Sequence, residues 1–103
     1  MLGKLISIIE KVIALSKMSA TNHIGRIDFS AGEKSFVISL MPASNSVYKQ
    51  EFRILLPYDS VIVLPFDDDV PEDKFIANTA NLIYRLVSTY SPEQKLFVET
   101  LIS

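Results

Sequence analysis

Between residues 26 and 66, apolar side chains fall on alternate positions in four short runs, and that alternation constrains the fold more than any other feature of the chain. A period of two is the signature of a strand with one face on a core and one on solvent. In the first run Ile27 and Phe29 alternate with Arg26 and Asp28. In the second, Phe36, Ile38 and Leu40 alternate with Val37, Ser39 and Met41. A hairpin loop at Ala31-Gly32-Glu33-Lys34, with Gly32 free to take a positive φ, sets Phe29 opposite Phe36 and Ile27 opposite Ile38. The third run is Glu51–Leu56, with Phe52, Ile54 and Leu56 on the core parity, after a turn expected at Ser44-Asn45-Ser46. The fourth is Val61–Phe66, after a four-residue turn at Pro57-Tyr58-Asp59-Ser60. Folding over that turn pairs Leu56 with Val61 and Ile54 with Val63, so one parity carries through all four strands of a meander.

The flanks read as helices. Over about residues 2–17, Leu2, Leu5, Ile6, Ile8, Ile9, Val12, Ile13 and Leu15 fill one half of a helical wheel. That arc is wider than the roughly 100° a surface helix needs. It implies contact with both sheet and helix, or with a second molecule; an interfacial membrane helix would carry a more basic polar face and an aromatic residue. A second helix is expected over about Pro71–Tyr90, with Asp69, Glu72 and Asp73 at its positive end. Ser91-Pro92-Glu93-Gln94 is a capping box and starts a third. The expected fold class is α+β, an αββββαα order in a single domain over residues 1–103.

Composition narrows the function. A chain of 103 residues with 49% hydrophobic residues is not of the disordered type. Twelve acidic and ten basic residues leave a net charge of −2 with no basic cluster, which argues against nucleic-acid binding. The strand phenylalanines share the core parity, so they do not form a stacking platform. There is no cysteine, hence no disulfide and no thiolate metal site. Glu10 and Lys11 interrupt the N-terminal apolar run, against a secretory signal, and no run approaches the ~20 residues that span a bilayer. A cytoplasmic protein is the expectation.

No catalytic, cofactor or metal motif emerges. His23 is the only histidine and lies in a loop. Gly3, Gly25 and Gly32 are too far apart to cradle a phosphate. The acidic run Asp67-Asp68-Asp69-Val70-Pro71-Glu72-Asp73 has Glu72 where a calcium loop needs glycine. It reads as a solvated loop that favours the start of a helix, or as a partner-facing acidic patch.

The remaining signal is a strand that looks uncovered. In the expected register one row of the outer face holds Asp28, Val37, Arg53 and Leu64, and the next Arg26, Ser39, Glu51 and Phe66. Ile62, Leu64 and Phe66 would then lie on the outer face with Leu55, on an edge strand, where apolar side chains invite pairing. The expected partner-binding residues are therefore Leu55, Ile62, Leu64, Phe66, Asp67, Asp68 and Asp69. The chain's order and size resemble small acidic binding proteins such as secretion chaperones, toxin immunity proteins and phage-encoded inhibitors, with no shared motif. The expected function is a non-enzymatic protein–protein interaction module, a small acidic adaptor or inhibitor acting as a homodimer. The alternative is a ligand-binding or enzymatic domain whose pocket gathers Tyr58, Tyr84, Arg85 and His23.

Overall fold

The computed structural model describes residues 1–19, 22–43, 50–67 and 69–103. The chain runs α1 (Leu2–Met18), β1 (Gly25–Ala31), β2 (Lys34–Pro42), β3 (Gln50–Leu56), β4 (Ser60–Phe66), α2 (Glu72–Val87) and α3 (Pro92–Ile102). The four strands form one antiparallel sheet in the order β1-β2-β3-β4. This is the αββββαα architecture that the alternation and the wheels predict. The turn expected at Ser44-Asn45-Ser46 lies outside the described residues.

One face of the sheet carries the core. Phe36, Ile38 and Leu40 of β2 and Phe52, Ile54 and Leu56 of β3 are buried together with Leu5, Ile9, Val12, Ala80, Ile83, Val98 and Ile102 from the helices. All three helices therefore stand on the same side. The wide apolar arc of α1 is used largely as a two-sided contact: it packs on β1, β2 and α2. Leu5, Ile8, Ile9, Val12 and Ile13 are buried, and Leu15 is left open at the end of the arc. Gly25 is where this contact is closest. A Cβ there would lie 2.1 Å from the Val12 carbonyl oxygen and 2.7 Å from the Ser16 nitrogen, so only glycine lets β1 start against α1.

α2 buries Ile76, Thr79, Ala80, Ile83 and Val87, while Lys74, Asn78, Asn81, Arg85 and Ser88 face solvent. It stops at Val87 rather than Tyr90, and Tyr90 is freed to donate its hydroxyl to the Pro57 carbonyl at 2.8 Å. α3 begins with the expected capping box: the Ser91 hydroxyl accepts from the Gln94 N–H, and the Gln94 side chain accepts from the Ser91 N–H.

The registers differ from expectation in two ways. β1 and β2 pair as derived, Ile27 with Ile38 and Phe29 with Phe36. Between β2 and β3 the pairing is shifted by two residues, Ser39 with Arg53 and Val37 with Leu55, which leaves every side chain on its expected face. Between β3 and β4 the shift is one residue: Leu56 pairs with Ser60, Ile54 with Ile62 and Phe52 with Leu64. A slip of one turns β4 over. The cause is a three-residue loop, Pro57-Tyr58-Asp59, with Tyr58 at φ 70° and Asp59 at φ 67°. A left-handed tyrosine is costly, and this one is held. Its ring meets Tyr90 and Phe97 edge-on at 5.5 and 6.2 Å, and the Lys34 ammonium lies 4.7 Å over its centre.

Candidate functional site

The turn of β4 decides which of the expected contact residues are available. Ile62, Leu64 and Phe66 do not lie on the outer face. They are half-buried and pack on the core. Phe66 stacks edge-on with Phe52 at 5.5 Å and with Phe75 of α2 at 4.9 Å. The physical reason is bulk. Both parities of this strand are apolar, and placing isoleucine, leucine and phenylalanine inward buries more surface than placing Val61, Val63 and Pro65 there.

Those three smaller residues now face outward. The outer face reads Asp28, Val37, Leu55 and Val61 in one row and Arg26, Ser39, Arg53 and Val63 in the next. Its β1 side is polar: Arg26 and Asp28 form an ion pair at 2.9 Å. Its centre is closed by Arg53, paired to Glu51 at 3.0 Å, with Ser39 donating to the Arg53 carbonyl at 3.3 Å. Its β4 side is apolar and open. Val61 is 64% exposed, Val63 51% and Leu55 39%, and Pro65 is exposed beside them. Leu55 is the one expected apolar contact residue that stays on this face. That Val61 and Val63 face outward was not foreseen, because alternation alone cannot choose between two apolar parities.

β4 is also the rim of the sheet on its side. A proline tolerated in a strand has its nitrogen turned away from the ladder. Val61 and Val63 share the alternation of Pro65, so their N–H and C=O groups point outward as well. The strand carries no charged side chain, but acids stand at both ends: Asp59 before it, Asp67 and Asp69 after it, all exposed. The Asp67 carboxylate accepts from the Asp69 N–H at 3.3 Å, which shapes the loop. Asp68 lies outside the described residues. Glu72, one turn further, is taken by Lys17 at 2.9 Å.

The polar residues considered for a pocket are dispersed. Tyr58 caps the end of the sheet where the β1–β2 and β3–β4 turns lie. His23 sits beyond the opposite end, before β1, where its carbonyl accepts from the Ser16 hydroxyl at 2.7 Å and from Gln50 at 3.3 Å. Tyr84 and Arg85 are on the solvent side of α2. A cleft of about 410 Å³ opens between α1 and the start of α2, lined by Ile13, Ser16, Lys17, Gln50, Phe66 and Asp67. Its polar groups are engaged with one another: Gln50 donates to the Ser16 hydroxyl at 3.1 Å and Lys17 to Glu72. Among the described residues no three acidic or histidine side chains gather as a metal site would require, and no helix is long and apolar enough to cross a membrane.

No family model, curated protein or solved structure matches this chain.

Proposed function

We propose that this chain is a non-enzymatic protein–protein interaction module, a small acidic adaptor or inhibitor that docks through the β4 side of its open sheet face. The observation that carries the reading is Val61 and Val63, both more than half exposed on a charge-free rim strand, beside Leu55. Unprotected apolar edges are pairing sites, and apolar surface rimmed by polar groups marks contact with another protein. The dispersal of Tyr58, Tyr84, Arg85 and His23 weighs against the pocket reading. Asp67 and Asp69, exposed just after β4, border the strip and are read as part of the same contact surface.

A homodimer is the second form of this reading, and the geometry gives it a specific basis. Two copies of β4 related by a two-fold axis at Val63 would pair Val63 with Val63 through both backbone groups, and Val61 with Pro65 through one bond only, the Val61 N–H donating to the Pro65 carbonyl.

The reading is tested with a photo-crosslinking residue placed at position 63 or at position 26, in cells that make the protein. Adducts should arise from position 63, to another copy or to another protein. Equal adducts from position 26, or none from 63, would remove β4 as the docking surface.

A further inference from the structure

We infer that the β4 rim receives an extended strand of a different protein, one with apolar residues at alternate positions and lysine or arginine at both ends. This rests on the reading of β4 as the docking surface and names the occupant.

Area argues for the rim over the face. Three side chains exposed by 39–64% make a narrow strip. It falls well short of the ~800 Å² that each partner of a standard interface buries. A sheet-on-sheet contact large enough would have to cover the Arg26–Asp28 and Arg53–Glu51 ion pairs too, and desolvating paired charges is costly. Strand addition needs less area. Its affinity comes from main-chain hydrogen bonds, here to the outward N–H and C=O groups of Val61 and Val63, and its specificity from alternate side chains. The residues opposite Val61 and Val63 would be β-branched or otherwise apolar.

Charge argues for another protein over a second copy. In the antiparallel pairing centred on Val63, the acids that flank the strands, Asp59 of one copy and Asp67 of the other, are brought near each other at both ends of the ladder. Like charges brought together at a strand pair destabilise it. Among the described residues, three cations are already engaged: Lys34 lies over the Tyr58 ring, Lys17 on Glu72 and Arg53 on Glu51. A strand carrying basic residues at its ends meets Asp59 on one side and Asp67 and Asp69 on the other, so attraction replaces repulsion.

The probe is a short, end-capped peptide of alternating valine and threonine with lysines at both ends, beside a twin with glutamates in their place. Binding to the full chain is followed by fluorescence anisotropy, and the site by amide NMR shifts. The lysine peptide should bind and move the Val61 and Val63 amides. The glutamate twin should bind at least about ten-fold more weakly, and added salt should narrow the gap. Asp59→Asn with Asp67→Asn and Asp69→Asn should bring the two peptides level; salt titration of the wild type reads the same charges without any substitution. Equal binding of both peptides to the wild type, or shifts confined to another surface, would overturn the inference. A wild-type dimer that Val63→Lys converts to a folded monomer would also overturn it, yet leave β4 as the docking surface. A monomer that binds neither peptide and gives no adducts from position 63 would sink both.

Discussion

β1 and β4 occupy the two rims of one sheet, and they are protected in different ways. β1 places the Arg26–Asp28 ion pair on the open face and presses its first residue, Gly25, against the backbone of α1. β4 places Val61, Val63 and Pro65 on the open face and spends its bulk inward, where Ile62, Leu64 and Phe66 close the core under α2. Charges on a rim discourage pairing with other chains; a proline limits it without preventing it. The difference teaches that the two rims are protected unequally. β1 is locked and screened, whereas β4 is packed through its inner face and leaves Val61 and Val63 exposed on the other.

The largest effect is expected where β1 is locked. Gly25→Ala drives a methyl into the Val12 carbonyl and the Ser16 nitrogen, both backbone atoms that cannot rotate away. Overpacking of this kind costs about 3 kcal/mol or more, so chemical denaturation should show a severely destabilised chain. The neighbouring Arg26→Ala should not. If Gly25→Ala is tolerated, α1 and β1 are not locked together and the contrast between the rims weakens.

A second test addresses which way β4 faces. Phe66→Ala removes a ring that stacks on Phe52 and Phe75 and should cost about 3 kcal/mol. Val63→Ala, on the open face, should change stability by no more than about 0.5 kcal/mol. The opposite order would restore the register in which Leu56 pairs with Val61.

That register shows how far the sequence was legible. The element order, the three helices and the facing of β1, β2 and β3 follow from periodicity, because each run there has one clearly apolar parity. Phe36, Ile38 and Leu40 stand against Val37, Ser39 and Met41, and it is the first three that join the core, although Val37 and Ser39 are also covered on the other face. In Ser60–Phe66 both parities are apolar, so alternation carries no sign. The choice then fell to the turn, and a loop that puts Tyr58, ahead of Asp59, in the left-handed region is not what a tyrosine suggests. Tertiary packing decides it: Tyr90, in the link before α3, and Phe97 of α3 hold Tyr58 from some 30 residues further along the chain. Side-chain volume was the readable clue. Isoleucine, leucine and phenylalanine share one parity, and two valines and a proline share the other. That β4 is apolar on both parities was legible in the sequence, but which of its faces is open was not.

The clamp on Tyr58 gives a smaller, sharper prediction. Tyr90→Phe keeps the ring but deletes the hydroxyl that donates to the Pro57 carbonyl at 2.8 Å. The net loss should be about 1 kcal/mol. It should appear as faster amide exchange in the 57–59 turn and at the start of β4, with β1 unchanged. Exchange that rises equally at both rims would mean that the clamp stabilises the whole domain and not the register of β4.

The smallest effect on stability, and the one that speaks most directly to the two rims, belongs to the β1 charges. The Arg26–Asp28 pair is exposed, its side chains 60% and 44% open, and pairs of that kind contribute about 0–1 kcal/mol. Arg26→Val with Asp28→Val should therefore leave the denaturation midpoint nearly unchanged while giving β1 the open apolar face that β4 has. If the charges serve to keep β1 from pairing, light scattering should show the double variant associating at lower concentration than the wild type, and Val63→Lys should shift association the other way. If the β1 variant stays as soluble as the wild type, side-chain charge is not what distinguishes the rims. The contact of Gly25 with α1 would then be what shields β1.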